Sequence, residues 1–257
     1  MTKARAAVVL AAGEGTRMQS GRAKVLHELG GHPLVEHVVR QVVRSGIETV
    51  VVVVGHQGAE VKAALRDFHR EVTCVEQKER LGTGHAVDQA LPFLRGTWSE
   101  HVLVLAGDAP FLRGDTMRAL ADGHDAGGAA VTVLTADLDD PTGYGRIVRD
   151  AAGVVEAIVE DKDASPAVLA IHEINSGIYA FDIEALVQSL RQVTNRNAQA
   201  EYYLTDTLSI LRGSGRRVAA VKAADPVEVL GINTREQLEA AEILYRERLA
   251  LHTGDGW

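Results

Sequence analysis

The stretch AAVVLAAGEGTRM at residues 6–18 decides the fold class of this chain. Its first residues are continuously apolar, without the polar alternation of a half-exposed strand, which predicts a strand buried on both faces. Gly13 and Gly15 follow directly, and residues without bulky side chains let a backbone pass close to a ligand. A buried strand that runs into such a loop is typical of a parallel sheet whose ligand lies outside the carboxyl ends of the strands.

The same rhythm continues through the first half of the chain. Further Val-rich runs predict buried strands at 49–54, 72–75 and 102–105. Helical spacing lies between them at 33–45, with Pro33 in the first turn, and at 58–67 and 82–94. Repeated βαβ units give a mostly parallel sheet covered by helices. We therefore predict an α/β fold, a Rossmann-like, mostly parallel mixed sheet flanked by helices.

The second half is less regular. Short strands are predicted at 131–134, 147–149, 154–159 and 178–181, with a turn cluster at 139–145 and a closing helix at 234–251. We see no internal repeat or low-complexity linker. One continuous domain with a more antiparallel second half is the simplest prediction.

Composition excludes several classes of protein. A formal net charge of −8 argues against broad nucleic-acid binding, which usually needs a basic surface. No apolar run is long enough for a membrane span or a signal peptide, so we expect a cytoplasmic protein without a membrane partner. The single cysteine, Cys74, lies in a Val-rich run and is predicted to be a small buried strand residue.

The glycine-rich loop fits neither of two common phosphate-binding motifs. The dinucleotide-binding fingerprint fails because Met18 stands at its third glycine, and the chain has no Walker A sequence. Two cations remain, Arg17 and Lys24, of the kinds that neutralise a triphosphate. From composition alone, a phosphate site and an ordinary turn with solvated charges both stay open.

Seven motifs, in order along the chain, carry a family resemblance. They are the stretch 10–18 with Lys24, then 81–85, 107–108, 140–147, 173–177, 199–206 and 228–233. Together they resemble the sugar nucleotidyltransferases, and within them the uridylyltransferase half of the bacterial bifunctional N-acetylglucosamine-1-phosphate uridylyltransferase/glucosamine-1-phosphate acetyltransferases.

The resemblance implies a GT-A-like nucleotide-diphospho-sugar transferase fold with a smaller sugar-binding lobe. Residues 1–257 would form one nucleotidyltransferase domain, with a nucleotide-binding part at about 1–125, a sugar-binding part at about 126–233, and a C-terminal helix and tail at 234–257. The implied substrates are UTP and N-acetylglucosamine-1-phosphate, and the implied metal is Mg²⁺. We expect no acetyltransferase activity, because the sequence contains no hexapeptide repeat of a β-helix.

The resemblance also assigns roles to residues. Arg17 and Lys24 would be catalytic, and Asp108 and Asn233 would bind the metal. The nucleotide would be bound by Leu10, Ala11, Ala12, Gly13, Gln77, Gly82, Thr83 and Gly107. The sugar would be bound by Gly145, Glu160, Asn175, Tyr203 and Thr205.

The residues themselves support part of this assignment. Asp108 follows a predicted strand, which puts a hard carboxylate ligand at the carboxyl edge of the sheet. The amide of Gln77 offers both donors and acceptors, as the edge of a uracil ring requires. Asn233, taken alone, is more typical of an N-cap or turn residue before the closing helix than of a metal ligand.

Two positions depart from the family pattern. Arg80 replaces a common glutamine, and Ala106 replaces the tyrosine that typically precedes the Gly-Asp pair. Both changes leave open another sugar-1-phosphate, such as glucose-1-phosphate, or dTTP as substrate. Two alternatives of a different class are a non-catalytic nucleotide-sugar sensor and a glycosyltransferase, although the latter would use an Asp-x-Asp metal site where this chain has only Asp108.

Overall fold

A computed structural model describes residues 5–94 and 99–251 of the protein. The last six residues of the predicted C-terminal tail, 252–257, lie outside the described residues. The strands are β1 Arg5–Ala11, β2 Glu28–Leu29, β3 His32–Pro33, β4 Thr49–Val54, β5 Val72–Glu76, β6 His101–Ala106, β7 Val131–Asp137, β8 Arg146–Arg149, β9 Val155–Val159, β10 Glu173–Asp182 and β11 Val218–Lys222. The helices are α1 Leu34–Arg44, α2 Gly58–Ala64, α3 Thr83–Leu94, α4 Gly114–Gly127, α5 Pro166–Leu169, α6 Ile183–Leu190, α7 Asp206–Gly213 and α8 Arg235–Leu251.

Within the described residues, the central sheet has the strand order β11-β7-β10-β6-β1-β4-β5. Strands β6, β1, β4 and β5 run parallel, and β10 is antiparallel to both β6 and β7. The β8–β9 hairpin joins the sheet through β10. The mostly parallel, mixed α/β sheet is confirmed, and every antiparallel pair described in this central sheet includes a strand from the second half of the chain.

The core has two layers because alternate residues of β1 face opposite sides of the sheet. Ala7 and Val9 pack with α1 and α4 on one side, whereas Ala6 and Val8 pack with α3 and α6 on the other. All four side chains are fully buried. A strand covered on both faces needs no polar alternation, which explains the continuous apolar run in the sequence.

The prediction of full burial was wrong for β5. In the part of the chain that the structure describes, this strand pairs only with β4 and forms one edge of the sheet, and its residues are exposed or half-buried. Cys74 is accordingly half-buried rather than buried, although burial still raises the pKa of its thiol. The apolar residues of β5 do not reveal that only one of its two sides is paired in the described sheet.

Several element boundaries also differ from those predicted. Helix α1 begins at Leu34, with Pro33 just outside it. Helix α2 ends at Ala64 and is followed by a separate 3₁₀ turn, Arg66–Phe68. Helices α4, α6 and α7 and strand β11 were not predicted at all. In the part of the chain that the structure describes, no helix combines the length and apolar character of a bilayer-spanning segment.

Candidate active site

A cavity of about 750 Å³ opens at the carboxyl ends of β1 and β6, and Gln77, which follows β5, also lines it. Its size is within the range of small-molecule sites. Register explains its position, because Leu10 pairs with both Val53 and Ala106, so that the loops after three strands begin at the same edge of the sheet. The second half of the chain closes the other side of the cavity.

Two glycines allow these loops to pack against each other. A Cβ atom on Gly107 would lie 2.7 Å from the Leu10 carbonyl oxygen, which accepts a hydrogen bond from the Gly107 amide at 3.0 Å. A Cβ atom on Gly55 would lie 2.6 Å from the Ala12 carbonyl oxygen. Gly107, predicted to bind nucleotide, therefore packs against the end of β1 and does not line the cavity. Because it has no side chain, the loops after β1 and β6 can lie close together.

The glycine-rich loop is shaped around Lys24. Gly15 has φ +68°, and a Cβ atom there would overlap the Cβ atom of Lys24. Gln57 fixes the following segment, because its amide accepts a hydrogen bond from the Ala23 amide at 2.5 Å and donates one to the Gly21 carbonyl at 2.8 Å. The segment that leads into Lys24 is thus fixed at Gly21 and Ala23, and this role of Gln57 was not predicted from the sequence.

Lys24, Asp108, Asn233 and Arg17 form one polar cluster at the cavity. The Lys24 ammonium donates to the Asp108 carboxylate and, at 2.9 Å, to the Asn233 amide oxygen. Arg17 donates to the same Asn233 oxygen, also at 2.9 Å. The structure therefore brings both predicted catalytic cations and both predicted metal ligands together.

Asn233 does not cap the closing helix. The helix cap is Thr234, whose hydroxyl accepts from the Gln237 amide at 3.2 Å while the Gln237 side chain accepts from the Thr234 amide at 3.1 Å. This reciprocal arrangement is a capping box. The Asn233 side chain instead faces Arg17 and Lys24, which excludes the interpretation of Asn233 as the helix cap.

The backbone beside Asn233 is held by groups that sequence reasoning missed. The Tyr144 hydroxyl accepts a hydrogen bond from the Gly231 amide at 3.2 Å, and the Ile232 amide donates to the Asp108 carbonyl at 3.0 Å. A Cβ atom on Gly231 would lie 3.3 Å from an Asp108 carboxylate oxygen. Burial raises the pKa of Tyr144, and the Asp108 charge raises it further. The hydroxyl therefore stays protonated and neutral beside the carboxylate.

The cluster has the donor chemistry of a sparse Mg²⁺ site. Asp108 and Asn233 present two hard oxygen atoms that already converge on one cation, the Lys24 ammonium. Mg²⁺ commonly takes only one or two protein ligands and completes its shell with phosphates and water. Among residues 5–94 and 99–251, no group of three or more His, Cys, Asp or Glu side chains has metal-binding geometry. Asp108 and Asn233 therefore fit a metal ion that takes its remaining ligands from a substrate and water.

One end of the cavity combines Gln77 with the start of α3. Gln77 is 4% exposed, and its amide nitrogen donates to the Gly82 carbonyl at 3.1 Å. Gly82 has φ +104°, and a Cβ atom there would lie 2.7 Å from the Tyr202 carbonyl oxygen. The Thr83 hydroxyl accepts from the Leu204 amide at 3.0 Å. This end is therefore joined tightly to the loop that precedes α7.

The other end carries the predicted sugar residues. The Thr205 hydroxyl donates to Glu160 at 3.1 Å, and Tyr179 donates to the Asn175 amide oxygen at 2.9 Å. Gly145 lies behind this pair, since a Cβ atom there would be 3.5 Å from both Glu160 and Asn175. Burial raises the pKa of the Glu160 carboxyl. A carboxyl group, an amide and a hydroxyl thus face one polar recess.

Most of the predicted binding residues line the cavity. They are Leu10, Ala12, Gly13, Lys24, Gln77, Gly82, Thr83, Asp108, Glu160, Asn175 and Thr205. Ala11 is instead buried in the core. The Tyr203 hydroxyl points to Gln199 and Asp163, at 2.9 and 3.3 Å, rather than into the cavity.

Other lining residues were not predicted. They are Glu14, Gly15, Thr16, Val25, Ala86, Gly177, Tyr179, Glu201 and Leu204. Tyr179 had no sequence signal, because it stands in an apolar strand and reads as a core residue. The two departures from the family pattern, Arg80 and Ala106, also line the cavity, and Arg80 forms an ion pair with Glu14 across its mouth.

This fold and this site define a nucleotidyltransferase. The chain belongs to the family of MobA-like NTP transferase domains, whose model matches residues 7–174. The resemblance seen in the sequence is confirmed by curated relatives. The chain is 50% identical to the Bifunctional protein GlmU of Geobacillus sp. (strain WCH70) over 245 residues, which are 95% of this chain and 52% of that protein. It is 51% identical to the Bifunctional protein GlmU of Streptomyces avermitilis, with 95% and 51% coverage.

The chain spans about half the length of the curated relatives that it matches. Among solved structures, it is similar to a putative glucose-1-phosphate thymidylyltransferase from Bacillus anthracis in complex with a sucrose. That match has a TM-score of 0.77 and covers 99% of this chain and 98% of the other at 20% identity. At this identity the likeness supports the fold.

Proposed function

We propose that the chain is a uridylyltransferase that forms UDP-N-acetylglucosamine and pyrophosphate from UTP and N-acetylglucosamine-1-phosphate. The observation that carries the proposal is the polar cluster of Arg17, Lys24, Asp108 and Asn233, of which Lys24 and Asp108 line the same cavity as the predicted nucleotide and sugar residues. A transfer between a nucleotide and a sugar phosphate needs two binding sites that meet at a charged centre.

The two ends of the cavity suit the two substrates. Gln77 and Gly82 would hold uracil, since a buried amide can match the edge of the base and a glycine lets the ring approach the backbone. Glu160, Asn175 and Thr205 would bind the hydroxyl and acetamido groups of the sugar. The relatives named above are about 50% identical to this chain over 95% of its length, which supports substrates of the same kind.

The chemistry requires no general base. A sugar phosphate is largely dianionic at neutral pH, because its second pKa lies near 6. One of its oxygens attacks the α-phosphorus of UTP, the bond between that phosphorus and the β-bridging oxygen breaks, and pyrophosphate leaves with the electron pair. Such a transfer depends on alignment and charge stabilisation. This is consistent with a centre built from cations.

Arg17 and Lys24 would stabilise the charge that develops on the α-phosphate and on the leaving pyrophosphate. Asp108 and Asn233 would hold Mg²⁺, which supplies charge neutralisation on the phosphate oxygens when bound. In the structure the Lys24 ammonium contacts both of these oxygen donors. Binding of a triphosphate would draw the ammonium toward phosphate and leave the two donors for the metal.

A pyrophosphate-release assay tests the proposal. Purified protein is incubated with Mg²⁺, UTP or dTTP, and a panel that includes N-acetylglucosamine-1-phosphate and glucose-1-phosphate. We expect the highest kcat/KM with UTP and N-acetylglucosamine-1-phosphate. Preference for another pair of nucleotide and sugar phosphate would indicate a related nucleotidyltransferase. Arg80 and Ala106, which line the cavity, would then be the first positions to substitute.

Two further outcomes would reject nucleotidyl transfer altogether. Binding of UDP-N-acetylglucosamine with no pyrophosphate release from any pair would indicate a sensor. Transfer of the sugar from finished UDP-sugar to an acceptor would indicate a glycosyltransferase. Because the proposed substrates are charged cytoplasmic metabolites, we place the reaction in the cytoplasm, with small molecules as its partners.

A further inference from the structure

A second cavity, of about 410 Å³, lies between the β8–β9 hairpin, the end of α7 and the edge strand β11. It shares no lining residue with the active-site cavity. Four arginines line it, namely Arg149, Arg212, Arg216 and Arg217. Such a concentration of positive charge is unexpected in a chain whose net charge is −8. Nothing in the proposed reaction uses these residues.

The four guanidinium groups differ in how far their charge is compensated. Arg149 is paired with Glu173 at 2.6 Å, and Arg212 with Asp150 at 2.6 Å. Arg216 reaches Asp182 only at 4.0 Å. The Arg217 guanidinium makes no ion pair or hydrogen bond with any residue of 5–94 or 99–251. Two of the four charges therefore remain available to a ligand.

The backbone that carries the two available arginines is well fixed. The Arg216 amide donates to the Leu211 carbonyl at 3.0 Å, and the Arg217 carbonyl accepts from the Ala130 amide at 2.8 Å. Gly215, with φ +77°, provides the turn between α7 and β11. The positions of both arginines are thus set by a helix end on one side and the sheet on the other.

The cavity is not purely polar. Val155 and Val218 lie buried beneath it, and Val154 is 44% exposed at its surface. A ligand that suits it would combine an anionic group for the arginines with an apolar or aromatic body for the valines. Guanidinium groups match phosphate oxygens through paired hydrogen bonds. The volume is within the range of small-molecule sites.

We propose that this cavity binds a phosphate-bearing small molecule, with Arg216 and Arg217 as its phosphate-binding residues. Arg149 and Arg212 add positive potential but keep their carboxylate partners. The valines contact the non-phosphate part of the ligand. This site is separate from the active-site cavity, so the proposal does not depend on the proposed function.

The test is isothermal titration of the full chain with ADP and with inorganic pyrophosphate as probes. We expect R216Q/R217Q to weaken the binding of both by at least about tenfold, because each loses charge-assisted hydrogen bonds. The matched control R66Q/R70Q removes the same charge from exposed positions elsewhere and should bind like the wild type. Thermal unfolding of both variants checks that the fold is retained.

A K24A variant separates the two cavities. Retained binding in K24A together with loss in R216Q/R217Q supports the second site. Loss in K24A with retention in R216Q/R217Q would show that the probes bind only in the active-site cavity, and the proposal would be wrong. Equal weakening of binding in R216Q/R217Q and R66Q/R70Q would mean that net charge alone causes the effect, and the proposal would be wrong. The proposal would also be wrong if the wild type bound neither probe at millimolar concentration.

Discussion

Arg17 and Asn233 are 216 positions apart in the chain, and their side chains meet through a 2.9 Å hydrogen bond. Asn233 also accepts from Lys24, so one amide oxygen orders both cations of the site. The neighbouring Thr234 caps helix α8. The two adjacent residues therefore have different roles: Asn233 orders the cations of the site, and Thr234 stabilises helix α8.

The first prediction separates these tasks. Asn233→Ala should lower kcat by about 10²–10³, the range observed when one preorganised charge-stabilising group is lost. Thr234→Ala should leave kcat within about twofold but lower the free energy of unfolding by about 1 kcal/mol, because the helix loses its cap. Pyrophosphate-release kinetics and urea unfolding measure the two effects. If Thr234→Ala lost as much activity as Asn233→Ala, the distinct role of Asn233 would be refuted.

The second prediction concerns the Lys24–Asp108 pair. Only 16% of the Lys24 side chain and 13% of the Asp108 side chain are exposed. Removing one partner leaves the other charge without compensation, and for buried pairs this costs about 3–5 kcal/mol, here reduced by contact with cavity water. Lys24→Met and Asp108→Asn should each destabilise the protein, and the double variant should be more stable than the sum of the single effects predicts.

Urea unfolding of the four proteins in this cycle measures the coupling. Additive effects would mean that the two charges do not stabilise each other in the free protein. In the activity assay, both single variants should lose about 10²–10³ in kcat at saturating Mg²⁺. Turnover close to that of the wild type in either one would contradict the proposed function.

The third prediction tests the close approach at Gly82. Gly82→Ala forces a non-glycine residue to φ +104° and places its Cβ atom 2.7 Å from the Tyr202 carbonyl. We expect a loss of roughly 1–3 kcal/mol in stability from the strained backbone, and a higher KM for UTP because the loop must shift. Gly127→Ala in α4 is the control, since a Cβ atom there meets nothing within 4 Å and alanine is a better helix residue. Equal stability of the two variants would contradict the argument.

The fourth prediction follows from Glu160, whose pKa is raised chiefly by burial. In the unfolded chain the carboxyl ionises at its ordinary pKa, whereas in the folded protein it holds its proton to higher pH. Between those two values the folded state binds more protons, so this group lowers stability as pH rises. Glu160→Gln should therefore gain stability over the wild type above the folded pKa, and the gain should vanish below the unfolded pKa.

Thermal unfolding of both proteins across this pH range measures the difference. A constant difference at all pH values would contradict the assignment of the shift to Glu160. The same variant should raise the KM for the sugar phosphate, because an amide replaces one of the two carboxyl oxygens of Glu160 with an NH₂ group that cannot accept a hydrogen bond. Glu156→Gln, at an exposed position of β9, the strand that ends just before Glu160, is the matched control and should change neither quantity.

The structure follows the sequence closely where local pattern and burial agree. Strand β4 lies at 49–54, as its run of valines predicts, and α3 occupies all but the first residue of 82–94. The edge strand β5 shows where such agreement ends. Its residues 72–75 are mostly apolar, as those of β4 are, but among the described residues β5 pairs on one side only, which leaves it partly exposed.

Residue order alone predicts the parallel α/β sheet, the glycine-rich loop after β1 and the chemical types in the site, namely two cations, a carboxylate and several amides. These depend on local patterns and on motifs that are read in order along the chain. The folded chain was needed to show that Asn233 faces Arg17 and Lys24, that Gly107 lets two loops approach each other, and that the Tyr203 hydroxyl points away from the cavity. These partners lie between 40 and 216 residues apart, and strand order and loop packing, which no local pattern encodes, bring them together.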